Sequence, residues 1–155
     1  MRSQKTSHRW RGSSRNESGG RQRQGAAAVE FAIVLPVLVT ILLGATDFGR
    51  FYYSAIAVTN AARAGAAYGC MNPLSNAGST TAWQTGVTSA VTDELSQSTA
   101  INTANLTVTA TSVTESSGLN RVSVQVTYPF TTAVSWSYIP SSFNLTQTVV
   151  MRGVR

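Results

Sequence analysis

A 21-residue apolar segment, residues 26–46, constrains the fold of this chain more than any other feature of its sequence. A helix rises about 1.5 Å per residue, so a helix over this segment is roughly 32 Å long, close to the thickness of a bilayer's hydrocarbon core. Arg21 and Arg23 stand just before the segment, and Asp47 follows it directly. The segment therefore predicts a membrane-spanning helix, with the lipid bilayer as one partner of the chain.

Glu30 is the one charged residue within this segment, and a plain membrane anchor does not explain it. A charged side chain costs up to about 3 kcal/mol at the middle of a membrane and less near its surface, and such residues usually have a partner. The surrounding order is Gly25, four small or apolar residues, Glu30, Phe31 and then an unbroken apolar run. That order resembles the class III signal of type IV pilin-like proteins.

A wider block resembles one family more narrowly. It comprises residues 25–36 (GAAAVEFAIVLP), 48–50 (FGR) and 60–66 (NAARAGA). Over residues 25–69 the chain resembles the TadE-like family, whose members are minor pilins or pseudopilins of the Tad (tight adherence) pilus. Phe31 departs from the major pilins of this system, which usually have tyrosine after the glutamate.

This resemblance implies how the chain is processed and what it assembles with. In that family a membrane aspartic protease, the prepilin peptidase, cuts directly after the glycine, which here is Gly25. Ala26 would become the first residue and Glu30 the fifth. Glu30 would then neutralise the new amine, in its own chain or a neighbouring one, because pairing lowers the cost of holding either charge in lipid. The other implied partners are Tad pilins and inner-membrane assembly proteins, and the implied role is structural, in pilus biogenesis and adhesion.

The net charge of +6 lies entirely in residues 1–25, which contain seven basic residues and one acidic residue, Glu17. Basic residues before an apolar segment stay on the cytoplasmic side, so the N-terminus is predicted to be cytoplasmic. This explains the basic charge without nucleic acid as a partner. The low apolar content of residues 1–24 predicts that they are disordered. The basic residues are Arg2, Lys5, Arg9, Arg11, Arg15, Arg21 and Arg23.

Side chains suited to catalysis or metal binding are few. His8 and Cys70 are the only residues of their types, so there is no ligand cluster for zinc and no serine or cysteine triad. The carboxylates of Asp93, Glu94 and Glu115 are scattered. We therefore expect no enzyme activity, no cofactor and no metal. A single cysteine excludes an internal disulfide, so Cys70 is either a small residue near a helix end or part of an intermolecular bridge.

Two other interpretations use the same apolar segment. A secretory signal peptide would be cut at the small-x-small site of residues 55–57, but this site lies about ten residues beyond the apolar core. An uncleaved, single-pass membrane-anchored adaptor with an extracytoplasmic interaction domain has the predicted topology but gives Glu30 no partner. The first residue of the mature protein distinguishes the adaptor from a processed pilin.

The helix is predicted to continue past the membrane over residues 47–69. Apolar and small residues recur there at steps of three and four, which places them on one helix face. They are Phe48, Phe51, Tyr52, Ala55, Ile56, Thr59, Ala62 and Ala66. Gly69 is predicted to end the helix. Pro36 removes one backbone hydrogen bond, so we expect a kink near residues 32–36; a proline that a membrane helix simply tolerates is the alternative.

A second amphipathic helix is predicted over residues 82–97, after a loop. Its apolar residues follow one another at steps of four, which places them on one face. They are Trp83, Val87, Val91 and Leu95. Thr81, with Gln84 three residues later, matches a capping box at the start of this helix.

Strands are predicted from Leu106 onward, where the apolar period changes to two. The phase shifts before Val113, which indicates a bulge or a strand end. Residues 116–120 are predicted to form a turn. A second strand is predicted over residues 122–128, and Pro129 is predicted to end it.

A loop over residues 131–144 contains Trp136 and Tyr138, and a last strand is predicted over residues 145–151. The whole pattern predicts an α+β, pilin-like fold. It consists of a long N-terminal transmembrane and spine helix, a short second helix and a small antiparallel three-stranded sheet.

The predicted organisation has four parts, and the last one is extracytoplasmic. They are a basic cytoplasmic leader (residues 1–25), a transmembrane segment (26–46), a helix continuation (47–69) and a small α+β domain (70–155). The predicted location is the inner membrane, with incorporation in the pilus as a further possibility.

Overall fold

The computed structural model of the chain describes residues 18–98, 101–135 and 140–153. They form a long helix, a second helix and a three-stranded antiparallel sheet. These elements are α1 (Ser18–Met71), α2 (Thr80–Ser96), β1 (Thr107–Thr114), β2 (Asn120–Thr131) and β3 (Ser142–Gly153), with 3-10 helices at Leu74–Asn76 and Thr103–Asn105. The arrangement confirms the predicted α+β fold.

Two compact units divide the chain, Met1–Leu42 and Leu43–Arg155. In the first unit all described residues are helical and belong to α1. Because α1 begins at Ser18, the prediction of disorder is wrong for residues 18–24. Extending an existing helix adds one hydrogen bond per residue at little entropic cost, and arginine and glutamine are good helix formers. The rest of the predicted leader, residues 1–17, lies outside the described residues.

In the second unit α1 buries a face made mainly of small residues. They are Ser54, Val58, Ala61, Ala62, Gly65, Ala66 and Gly69. The predicted face is therefore only partly correct, since Phe48, Tyr52 and Ile56 are exposed. Small side chains occupy the buried positions because they let the backbone of α1 lie close to α2 and β2.

Gly69 does not end α1, which continues to Met71. A Cβ atom at Gly69 would lie 2.9 Å from Trp83 of α2 and 2.9 Å from Val122 of β2. Glycine is therefore required at this position by close packing rather than by a change of backbone direction. The indole nitrogen of Trp83 also donates to the Asn72 carbonyl at 2.9 Å, which fixes the ring where α1 ends.

The four apolar residues predicted for α2 are all buried, so its amphipathic pattern is confirmed. Its N-cap is Ser79, whose hydroxyl accepts a hydrogen bond from the Ala82 amide at 3.1 Å. The predicted capping pair of Thr81 and Gln84 is wrong. Gln84 instead donates its side-chain amide to the Ala110 carbonyl of β1 at 3.2 Å, because the helix packs beside that strand.

The strand order is β1-β2-β3, and both pairings are antiparallel. β1 and β2 pair in unbroken register, so the predicted bulge before Val113 is wrong. The phase shift instead reflects a valine on the solvent face, since Val113 is half exposed. The predicted turn is confirmed. Gly118 has a φ of +82° and its amide donates to the Glu115 carbonyl at 2.9 Å.

Pro129 lies inside β2, so the prediction that it ends the strand is wrong. β1 pairs only as far as Thr127, whereas β3 pairs along all of β2. At Pro129 the middle strand therefore has a neighbour on one side only, and a proline is tolerated at such an edge. β3 begins at Ser142, inside the predicted loop; Trp136 and Tyr138 lie outside the described residues.

The core lies between the two helices and one face of the sheet. Val122, Val124 and Val126 of β2 are fully buried at its centre. A Cβ atom at Gly65 would lie 2.5 Å from Val91 of α2 and 3.4 Å from Val124. α1, α2 and β2 therefore meet closely around this glycine.

Candidate functional site

The predicted processing segment, residues 25–30, is an exposed part of α1. A Cβ atom at Gly25 would meet no other atom within 4 Å, so packing gives no reason for glycine there. Gly65 and Gly69 on the same helix are enclosed by neighbouring side chains. Gly25 is in this respect like Gly49, another open position on α1.

The peptide bond after Gly25 lies within the helix, where a protease cannot bind it in an extended form. Helical glycine is less favourable than alanine by about 1 kcal/mol, so the helix is locally weak at this residue. Ala26 and the residues after it are also exposed. Local unwinding at Gly25 would therefore present this bond without disturbing the core of the second unit.

Glu30 lies four residues after Ala26, which places both residues on one face of α1. The side chain is exposed, and no described hydrogen bond or ion pair involves it. Side chains on a helix lean toward its N-terminus. A carboxylate at position 30 is thus directed toward the end that cleavage before Ala26 would create, where the helix dipole also favours an acid.

The apolar residues that follow Glu30 lie on the surface of the described structure. Every residue from Phe31 to Leu43 is exposed. Among the residues described, α1 is the one helix long and apolar enough to cross a membrane. Pro36 lies within it, and its carbonyl accepts a hydrogen bond from the Thr40 hydroxyl at 2.8 Å. The kink expected there stays a prediction.

A comparison with protein families adds an independent finding about the same residues. The family described as TadE-like protein matches the chain over residues 25–67. Residues 25–67 are a TadE-like segment. The match begins at Gly25, and it confirms the resemblance that the sequence indicated. No curated protein and no solved structure matches the chain.

The TadE-like segment covers less than half of the chain. Its family suggests a pilin-like protein related to the Tad pilus, which interacts with other pilus components. Such proteins are structural rather than catalytic. The exposed apolar helix within the segment is compatible with a single-pass membrane anchor.

Asp47 forms hydrogen bonds and an ion pair that the sequence did not predict. The side chain is buried, with 7% of the residue exposed. Its carboxylate accepts hydrogen bonds from the Ala133 amide at 2.8 Å and the Val134 amide at 3.3 Å, and Arg50 pairs with it at 3.2 Å. Asp47 thereby holds the loop after β2 against α1. An acid directly after an apolar run was the only signal for it in the sequence.

Three phenylalanine rings pack beside Asp47. The ring of Phe51 lies 5.7 Å from that of Phe130 and 5.5 Å from that of Phe143, and the last two are 5.3 Å apart. Phe130 and Phe143 are direct cross-strand partners on β2 and β3. Arg50 lies over the Phe130 ring, 5.6 Å from its centre. The phenylalanine cluster thus lies next to the Asp47–Arg50 ion pair, at the start of the second unit.

The three carboxylates considered for catalysis lie in ion pairs or on the helix surface. Glu115 forms ion pairs with Arg121 at 3.7 Å and Arg152 at 3.3 Å. Asp93 and Glu94 are exposed on the last turns of α2. Among the described residues no group of three or more histidine, cysteine or acidic side chains could hold a metal ion.

Cys70 is half-buried near the end of α1, beside Gly153 of β3. Burial raises the pKa of its thiol. Because the thiolate is the form that reacts, a raised pKa lowers the reactivity of the cysteine. The environment thus favours a small packing residue over an intermolecular bridge.

Proposed function

We propose that this chain is a minor pilin or pseudopilin of a Tad-type pilus, cut after Gly25 by a prepilin peptidase. One observation supports this most strongly: Gly25 has no packing role, yet it heads the TadE-like segment and stands five residues before Glu30. Glycine suits a narrow protease site because it adds no side-chain bulk next to the bond that is cut. The chemistry is done on this protein, which itself acts as a structural subunit.

Cleavage would change the charge at the head of the helix. It removes the basic leader and leaves a free amine on Ala26, next to an apolar segment that enters lipid. Glu30 is the nearest acid along the chain and lies on the same helix face. Pairing of the amine with this carboxylate, in one chain or between neighbours, lowers the cost of placing both charges in a membrane.

The proposed location is the inner membrane, with the N-terminus in the cytoplasm and the second unit outside. The positive charge before the span sets this orientation. The proposed partners are the prepilin peptidase, other Tad pilins and the inner-membrane assembly proteins. The proposed role is in pilus biogenesis and adhesion, with incorporation of the subunit into the pilus.

Protease protection tests this orientation. Protease added to intact spheroplasts should digest the folded unit from about residue 50 onward, whereas a tag at the N-terminus should survive until the membrane is opened. Opened spheroplasts, in which both ends are accessible, serve as the control. Digestion of the N-terminal tag alone in intact spheroplasts would contradict the proposed topology.

A further inference from the structure

Two adjoining grooves lie at the end of the second unit where α1 enters it. An apolar groove of about 430 Å³ is bordered by Gly44, Phe48, Phe51, Phe130 and Phe143. A more polar groove of about 350 Å³ shares Phe130 in its lining and is bordered by Arg50. The two grooves therefore place an apolar surface beside a cation.

The apolar groove exposes more aromatic surface than the fold requires. Phe48 is 68% exposed and Phe143 is 38% exposed, although both lie next to a packed aromatic cluster. Contiguous exposed apolar surface on a protein marks a site of interaction with another protein, a ligand or a membrane. The part of the chain that the structure describes thus leaves this groove open.

Its place in the chain indicates what completes it. Gly44 and Thr46, one in the lining of each groove, belong to the apolar segment of residues 26–46. If that segment spans the bilayer, as the proposed function requires, both grooves open at the membrane surface. The ligands concentrated there combine acyl chains with a phosphate group.

Arg50 has the chemistry to bind such a phosphate. Half of its side chain is exposed (49%), and one guanidinium nitrogen pairs with Asp47. Asp47 also accepts the amides of Ala133 and Val134, so its charge is shared among several donors. A guanidinium group has five donors in a fork that matches phosphate, which leaves further donors for a ligand.

We infer that the two grooves bind one phospholipid of the surrounding bilayer, with an acyl chain against Phe48 and Phe143 and the phosphate at Arg50. A peptide segment fits the apolar groove less well, because the lining offers only Asp47 and Thr132 beside four phenylalanines, and Asp47 already has donors. The site would seat the second unit on the membrane surface. This inference rests on the proposed membrane anchoring.

Spin labels in the full chain test the position of the apolar groove. In a Cys70→Ser background, single cysteines replace Leu38, Phe143 or Val113, and the labelled chains enter vesicles of phosphatidylethanolamine and phosphatidylglycerol. Labels at residues 38 and 143 should be relaxed more by lipid-soluble oxygen than by a water-soluble nickel chelate. The label at residue 113, on the β1–β2 hairpin end, should show the opposite preference.

The three labels separate failure of this inference from failure of the proposed function. If the label at residue 143 behaves like the one at residue 113 while the label at residue 38 is in lipid, the groove does not meet the bilayer. If the label at residue 38 is also in water, membrane anchoring fails, and the inference fails with it.

A lipid-retention measurement tests the phosphate contact without changing the aromatic cluster. Native mass spectrometry of the full chain in detergent should show bound phosphatidylglycerol, and Arg50→Gln should lower its affinity roughly five-fold. Arg63→Gln, an exposed arginine on the same helix, is the matched control and should have no effect. Equal retention of diacylglycerol, unchanged binding in Arg50→Gln, or complete competition by inorganic phosphate would overturn the lipid site.

Discussion

Gly25 and Gly69 show two different reasons for glycine on one helix. Gly69 is enclosed, and a single added carbon would collide with Trp83 and Val122. Gly25 is open on all sides, and a larger side chain would fit the fold there. A sequence pattern alone does not separate these two cases, whereas the space around each residue does. Packing therefore does not account for glycine at residue 25, and the proposed peptidase site would.

The role of Glu30 can be separated from recognition by the peptidase. If Glu30 neutralises the Ala26 amine, Glu30→Gln should be cleaved normally but assemble poorly, because the amine stays charged and unpaired in lipid. Glu30→Asp should be intermediate, since it keeps the charge but has a shorter reach. Cleavage is scored by electrophoretic mobility, and assembly by the amount of pili.

Other outcomes of the Glu30 series would exclude the pairing. A block of cleavage in Glu30→Gln would mean that the peptidase reads this residue. Normal cleavage with normal piliation would mean that the carboxylate only reaches the membrane surface and has no partner.

Asp47 is expected to stabilise the second unit. Asp47→Ala removes the carboxylate that accepts the Ala133 and Val134 amides, and the loss of a hydrogen bond to a charged group costs about 1.5–3 kcal/mol. Thermal unfolding of the full chain in detergent, followed by circular dichroism, should show a lower midpoint. Asp93→Ala removes an exposed acid on α2 and should leave the midpoint nearly unchanged. Equal midpoints for both variants would contradict a stabilising role for Asp47.

The partners of Asp47 also mark a limit of sequence reasoning. They are backbone amides 86 and 87 residues further along the chain, and amides carry no signature in a sequence. Gly25, Ala26 and Glu30 could be singled out from the sequence because their spacing is local. The structure adds that these three residues are exposed and that packing does not require the glycine.

At the scale of elements, repeating patterns were predicted well and their ends were not. The four-residue spacing of α2 and the alternation in β2 depend on which side chains face the core, so the sequence shows them directly. Pro129 was misjudged because its tolerance depends on where β1 stops. The cap of α2 was misplaced because two nearby hydroxyl residues, Ser79 and Thr81, suit that position.

Close packing of α1 predicts opposite effects for two glycine substitutions. The methyl group added by Gly49→Ala would have no atom within 4 Å. The substitution should therefore stabilise the chain by up to about 1 kcal/mol, because alanine has the higher helix propensity. Gly69→Ala should instead destabilise it by roughly 1–3 kcal/mol, because Trp83 and Val122 must move. Thermal midpoints of the two variants in the same detergent provide the measurement. A rise in both midpoints would show that the core yields easily around Gly69.

At the scale of the whole molecule, the two units bury very different amounts of apolar surface. The residues from Gly25 to Leu42 are all exposed, whereas the second unit encloses a core of branched aliphatic side chains, alanines and Trp83. The apolar part of the first unit, residues 26–42, is thus suited to a lipid or subunit environment, and the second unit to water. The proposed pilin role requires both properties, since one part of the chain would lie in the membrane and the other outside it.

The intact mass of the chain extracted from membranes tests the central claim, cleavage after Gly25, most directly. The wild-type chain should begin at Ala26. Gly49→Val, at an equally open position of α1, should mature in the same way, whereas Gly25→Val should keep residues 1–25 and still enter the membrane. A wild-type chain that keeps its leader, or a Gly25→Val chain that begins at Ala26, would contradict the account.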